Sequence, residues 1–369
     1  MGSVSDVKGP ESNPANPTSI AAEPRKPICV LGLGLIGGSL LRDLGRLNWP
    51  AYGWNRSEKT ITRARRDGFD VSNDLEATLQ RAEADGALLV LGVPMFALAS
   101  LLDAIKVHAP TCGFTDVTSV KEQVHDLVEE HGLSHRFVGG HPMAGTANSG
   151  WPATMTGLFK GAVWVVTYDN AVAGDGMGNG ADEAEDLWLK TWARVVAMAE
   201  AVGASVVPAR ARKHDRAVAR VSHLPHILAE ALAIAGDQGG PLALTLAASS
   251  FRDGTRVAGT EPALVRAMCE NNRAALVTAL DETLELLREA REELANPDKD
   301  MKDLTEVGHA ARGRFEARAG RKKGEGANRP IIRVQPGGRG WVEQLESAES
   351  MGAQIGIFGL SDKMCVRNR

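Results

Sequence analysis

The chain has 369 residues, 43% apolar and 24% charged, the balance of an ordinary globular protein long enough for two domains. A net charge of −4 argues against a nucleic-acid binder, which presents a basic face. No apolar run reaches the roughly 18 residues that span a bilayer, and the N-terminal segment lacks signal-peptide features. Neither nucleic acid nor a membrane is therefore an expected partner, and a cytoplasmic location is expected. Cys29, Cys112, Cys269 and Cys365 are scattered and form no CxxC pair, so they read as reduced thiols and no structural zinc is expected.

Residues 1–25, rich in Ser, Pro, Asn and Ala, read as a disordered leader. From there the pattern alternates. Residues 28–31 form a short apolar strand, followed by a glycine cluster and a helix over 38–47. Residues 51–54 form a second strand, with a helix running to Arg66. Further strands are expected at 87–93, 113–117, 137–140, 163–168 and 205–208, with helices ending near Val107, over 120–130 and over 183–202. Strands alternating with helices predict βαβ units and a mainly parallel sheet over 26–208. Residues 170–183 read as a glycine-rich surface loop.

After Pro208 the character becomes helical. One helix is expected over 211–236 with a kink at Pro225, and a long helical pattern over 262–295. Residues 209–318 read as an all-α second domain. Residues 319–330 are basic and glycine-rich and read as a linker, and the remainder to 369 as a small β-α-β tail with no assigned role.

The strand at 28–31 runs into Gly32-Leu33-Gly34-Leu35-Ile36-Gly37 and then into a helix. That is GxGxxG in the context that a dinucleotide needs. The first glycine permits the turn, the second lets a pyrophosphate approach the backbone at Leu35 and Ile36, and the third lets helix and strand pack. The fold class is therefore a Rossmann-type α/β domain followed by an all-α domain. Val93 and Pro94, where a later strand ends, fall at the same edge. A chain specific for NAD places an acid about 20 residues on, for the ribose 2′-hydroxyl. Here the second strand ends in Asn55-Arg56-Ser57. Arg56 can pair with a 2′-phosphate, and Asn55 and Ser57 can donate to it, so NADP is expected, with NAD as the alternative.

Three further segments carry chemistry: Asp116-Val-Thr-Ser119-Val-Lys121; His141-Pro-Met-Ala-Gly145-Thr146; and His214-Asp215, with Ser222-His223-Leu-Pro-His226 and Phe251-Arg252-Asp253-Gly-Thr-Arg256. With the glycine turn, and in this order over residues 27–295, they resemble the prephenate/arogenate dehydrogenase family. The resemblance implies a Rossmann domain, a helical dimerisation domain, a homodimer and a small-molecule substrate. It implies an oxidative decarboxylation in tyrosine biosynthesis, on arogenate or, as the alternative, prephenate or both.

The resemblance also implies roles. His141 is the catalytic histidine, a neutral imidazole suited to accept a hydroxyl proton. Ser119 bonds to the same hydroxyl. Arg256 holds a substrate carboxylate through its guanidinium fork, with Arg252 adding positive charge. His214, His226 and Thr146 complete the substrate pocket. Many relatives carry an acid where this chain has Ala147. A zinc reading of His223 and His226 lacks accompanying ligands, so no metal is expected. Two other readings are a β-hydroxyacid or imine reductase, against which His141-Pro-Met stands, and a non-catalytic NADP-sensing regulator.

Overall fold

The computed structural model describes residues 25–146, 148–172, 183–319 and 329–357. The expected leader through residue 24, the loop over 173–182 and most of the basic stretch, 320–328, lie outside these.

The first half is a doubly wound unit. Strand β1 (Ile28–Leu31) leads to helix α1 (Leu35–Arg46), β2 (Ala51–Trp54), α2 (Glu58–Arg66), β3 (Val71–Ser72) and α3 (Leu75–Asp85). β4 (Leu88–Leu91), α4 (Leu98–His108), β5 (Phe114–Asp116), α5 (Glu122–Glu130) and β6 (Phe137–Val138) follow. The six strands pair in the order β3-β2-β1-β4-β5-β6, all parallel. β1 and β4 are uninterrupted apolar runs buried at every position, as expected of central strands covered on both faces. The strand order reverses between β1 and β4, which opens a crevice at their C-terminal ends.

At Gly139 the chain leaves this sheet. β7 (Gly140–Pro142) pairs antiparallel with β8 (Val163–Thr167), which pairs in parallel with β9 (Ser205–Ala209); helix α6 (Glu183–Ala201) links the last two. A single strand through 137–140 was expected, but the break has a steric reason. A Cβ on Gly140 would sit 2.6 Å from the carbonyl oxygen of Asp116, so the chain crosses the end of β5 at a distance only glycine permits.

The second half is helical: α7 (Ala211–Val218), a π-helical turn over 219–223, α8 (Leu224–Gln238), α9 (Gly240–Leu246) and α10 (Ser249–Thr255). α11 (Pro262–Glu270), α12 (Arg273–Ala295) and α13 (Lys302–Ala319) complete it. The irregularity expected at Pro225 lies in the π turn before it. Pro225 itself occupies the first turn of α8, where its missing N–H costs nothing. The buried core here is small, built around Ala219, Leu224, Leu276 and Ala279. Leu242, Leu246 and Leu294 are 71%, 72% and 71% exposed.

The tail is a parallel strand–helix–strand unit: β10 (Ile331–Val334), α14 (Trp341–Met351) and β11 (Gln354–Ile357). It shares the main core of the nucleotide domain. Val334, Trp341, Leu345, Ile355 and Ile357 are buried in one cluster with Trp164, Trp188 and Trp192. The Trp341 ring lies 5.5 Å from that of Trp192 and 6.1 Å from that of Trp188, and its Nε1 donates to the carbonyl oxygen of Val172 at 2.8 Å.

Candidate active site

The crevice edge begins at the glycine turn. Gly32 has φ +110, and a Cβ on Gly37 would lie 2.0 Å from the carbonyl oxygen of Gly32. Neither position admits a side chain. Gly34 differs, since a Cβ there would meet nothing within 4 Å. Its open side faces away from the protein, and no side chain caps α1 at this end. The first-turn N–H groups, including those of Leu35 and Ile36, are left for an anion. The residues present thus fit a dinucleotide pyrophosphate. The Leu33 N–H donates to Oδ1 of Asn55 at 3.1 Å, which ties the turn to the end of β2.

At that end Arg56 is exposed and has no ion pair among the described residues. Ser57 caps α2 by accepting from the Thr60 N–H at 3.4 Å, and Glu58 is occupied by the Asn73 amide at 2.6 Å. Val93 and Pro94 line the end of β4, half-buried and exposed respectively.

The chemical centre lies one strand further on. His141 sits within β7, half-buried, with Nδ1 2.8 Å from Nε2 of His214. Nδ1 of His214 lies 2.7 Å from Oδ1 of Asp215. The Asp215 carboxylate also accepts the N–H groups of Lys121 at 2.8 Å and Glu122 at 2.9 Å. A carboxylate can only accept, so His214 donates from Nδ1. In the neutral pair its Nε2 then accepts from Nδ1 of His141, leaving the Nε2 lone pair of His141 unused. Burial, and then the electrostatic influence of His214, Lys121 and His223, push the His141 imidazole well below histidine's ordinary range. It is a base that stays unprotonated.

Two buried supports surround this chain. Lys121 and Asp116, both inaccessible, form an ion pair, and Asp116 also accepts from the N–H of Gly140 at 3.1 Å, next to His141. Removing either charge would strand the other in the core. Asn272 donates through Nδ2 to the carbonyl oxygen of Asp215 at 2.8 Å and to Nδ1 of His223 at 3.1 Å. Burial holds His223 down at about 4, so it is neutral and can accept.

The expected site residues divide into groups. His141 and His214 are brought together. Both ring nitrogens of His214 are committed to protein partners, which leaves neither for a substrate. Ser119, half-buried just past β5, makes no hydrogen bond among the described residues. His226 is half-buried, and its Nδ1 is enclosed without a partner among the described residues. Thr146 shares a turn with Asn148 at 3.3 Å, and Ala147 lies outside the described residues. Arg252 is exposed and faces Asp253 at 3.7 Å, while Arg256 is exposed in a 3-10 turn; neither bonds to the histidine chain. Sequence reasoning assigned no role to Asp116, Lys121, Asp215 or Asn272. The first three stood inside the quoted segments, but only their burial makes them informative.

A parallel nucleotide-binding sheet, a cradle for a pyrophosphate and a depressed histidine at its C-terminal edge, followed by helices, define a nicotinamide-nucleotide-dependent dehydrogenase. The nucleotide-binding domain of prephenate dehydrogenase matches residues 40–197, and the dimerization domain of the same enzyme matches residues 210–307. The chain belongs to the prephenate dehydrogenase family. A crystal structure from Corynebacterium glutamicum, provisionally assigned as a prephenate dehydrogenase, is 56% identical, with TM-score 0.83; the match covers 90% of this chain and 99% of that one. Synechocystis arogenate dehydrogenase is 30% identical, with TM-score 0.63, over 79% of this chain and 99% of that one. The cyclohexadienyl dehydrogenase of Zymomonas mobilis is 29% identical over 287 residues, 74% of this chain and 90% of the relative.

Proposed function

We propose that the chain converts arogenate to tyrosine with NADP as hydride acceptor. The observation that carries this reading is the Asp215–His214–His141 chain, which leaves one imidazole nitrogen free at the crevice edge. Bound NADP would supply the acceptor for the hydride from the ring carbon that bears the hydroxyl. Nε2 of His141 takes the hydroxyl proton as the carbonyl forms. The bond to the ring carboxylate then breaks, CO2 leaves, and its electron pair completes the aromatic ring. The oxygen regains a proton as the phenol.

The remaining residues bind and orient. The unengaged hydroxyl of Ser119 bonds to the same substrate oxygen. Arg256 takes a carboxylate bidentately, with Arg252 adding charge and Thr146 and His226 contributing polar contacts. His214 orients His141 and Asp215 fixes its tautomer, so neither touches substrate. On the cofactor, Gly32, Gly34 and Gly37 with the N–H groups of Leu35 and Ile36 hold the pyrophosphate. Arg56, Asn55 and Ser57 take the 2′-phosphate, and Val93 and Pro94 flank the nucleotide. The exposed leucines of the helical domain fit burial in a homodimer.

Arogenate is preferred because the family resemblance implies that members lacking the acidic cofactor residue, as this chain does at 55–57, often accept it, and an arogenate dehydrogenase is among the similar structures. Prephenate is the second reading, favoured by the matched domain families. The test is an initial-rate assay pairing each substrate with NAD and NADP. Turnover with arogenate and NADP alone supports the proposal in full. Turnover with prephenate and NAD overturns both the substrate and the cofactor assignment.

A further inference from the structure

The tail, residues 331–357, lies beyond both matched domains, which end at residue 307. It nevertheless reaches the helix that carries His214 and Asp215. Helix α7 has no side-chain cap of its own, since its N-cap residue is Arg210. Its first N–H groups go to two carboxylates from elsewhere. Both oxygens of Asp169 accept from the Ala211 N–H, at 3.1 and 3.0 Å. Oε1 of Glu349, on α14 of the tail, accepts from the Arg210 N–H at 2.7 Å. Oε2 of Glu349 accepts from the Tyr168 hydroxyl at 2.8 Å and pairs with Nζ of Lys213 at 2.7 Å. The Glu349 side chain is only 8% exposed, so its bonds to the Arg210 N–H and the Tyr168 hydroxyl are partly buried, while the Lys213 ammonium stays in solvent.

We infer that the C-terminal strand–helix–strand unit is a working part of the active site, and that Glu349 is a positioning residue which sets the helix bearing His214. The inference rests on the role proposed for the His141–His214 pair. The lever is short, since His214 follows Arg210 by one helical turn, about 6 Å along the axis. The far side of the same turn is fixed by Asp215 on the N–H groups of Lys121 and Glu122. Glu349 and Asp215 thus clamp α7 from two directions, and the 2.8 Å contact between His214 and His141 lies between them. The position of α14 is itself set by the burial of Trp341, Leu345 and Ala348. An error of about 1 Å in such a constellation can cost on the order of 100-fold in rate.

The test uses the full-length chain with Glu349→Ala, Glu349→Asp and Glu349→Gln. Alanine removes the clamp. Aspartate keeps the charge but is one methylene too short to reach the Arg210 N–H. Glutamine keeps an acceptor for it. Alanine and aspartate are expected to lower kcat about 10-fold or more, with KM for NADP within about 2-fold of wild type. They should also speed amide exchange across residues 211–218, and glutamine should restore most of both properties. Glu346→Ala, which removes only an exposed contact to the Arg210 side chain, should leave kcat and exchange near wild type. Wild-type kcat and exchange in the aspartate variant overturn the inference, and that variant decides if alanine does not fold. If the wild-type chain turns over neither cyclohexadienyl substrate, the functional reading fails, and amide exchange alone decides whether Glu349 holds α7.

Discussion

Nδ1 of His141 lies 2.8 Å from Nε2 of His214, although the two residues are 73 positions apart and belong to a strand of one half of the molecule and a helix of the other. The pair spans the junction of the nucleotide domain and the helical domain. Its orientation depends on Asp215, which suggests the first test. Asp215→Asn can present an N–H to His214 and favour the wrong tautomer. We expect kcat to fall about 100-fold or more, within the range typical of general base catalysis, with NADP affinity unchanged. Steady-state rates together with a cofactor titration by fluorescence would check this. A variant with wild-type kcat would remove His214 and Asp215 from the mechanism.

A second test is the pH profile. A proton acceptor works when unprotonated, and His141 is held below histidine's ordinary range by burial first and then by its ionisable neighbours. Activity should be retained as pH falls through about 6.5, the ordinary histidine value, and lost only as pH falls through the lower native value. An acid limb of kcat/KM centred at or above 6.5 would contradict the assignment.

Stability should follow pH through His223. In the unfolded chain it titrates near 6.5, whereas in the fold burial holds it at about 4. Between these values the unfolded state takes up a proton that the native state does not, so stability drains as pH falls through this window, by up to roughly 3 kcal/mol. His223→Gln removes that titration. Urea unfolding at pH 7 and pH 4.5 should show wild type losing more stability than the variant, and equal losses would refute the idea.

Cofactor choice is tested at Arg56. Replacement by Ala should raise KM for NADP about 10- to 100-fold, the worth of a charge-assisted pair, and leave KM for NAD nearly unchanged. Equal effects on both cofactors would mean that Arg56 does not read the 2′-phosphate.

Two glycines of the turn should separate folding from binding. Gly34→Ala meets no neighbour within 4 Å, so the variant should fold with a wild-type melting temperature yet lose cofactor affinity, because the methyl group occupies the pyrophosphate approach. Gly37→Ala places a Cβ 2.0 Å from a backbone oxygen and should lose stability as well. Thermal melts with and without NADP distinguish the two outcomes. Unchanged affinity in the Gly34 variant would place the pyrophosphate elsewhere.

The strongest periodic and apolar signals were legible in the residues. β1 and β4, the glycine turn, the helical character after Pro208 and the strand–helix–strand tail all follow from local pattern. Helix α3 did not, because it buries only Thr78, Leu79 and Ala82 and so lacks an apolar stripe; its true markers are the Asp74 cap and Gly86 at φ +58. The division of 262–295 at Asn271–Asn272 was also hidden, because an apolar pattern continues across it. In the site, His141 and Ser119 were legible as motif positions. The partners of His141 were not, since Asp215 beside a histidine looks like any surface pair until its carboxylate is found 2% exposed on two backbone N–H groups. The tail was legible as an element but not as a neighbour of α7, because contacts across 136 residues leave no local trace.

The π turn over 219–223 sets a limit on how the sequence can change. In an unbroken α-helix His214 and His223, nine residues apart, would project from opposite sides, at 100° per residue. The wide turn takes up the extra residue, and Asn272 can then bridge Asp215 and His223. Within this segment chain length is therefore constrained more tightly than side-chain identity. Exposed Val221 can vary freely, whereas inserting a further residue between Val218 and Leu224, which the turn no longer absorbs, would rotate His223 by about a quarter turn and break the bridge. An insertion–deletion scan along α7 and α8 should find its least tolerant point there, at a place where no catalytic group is altered.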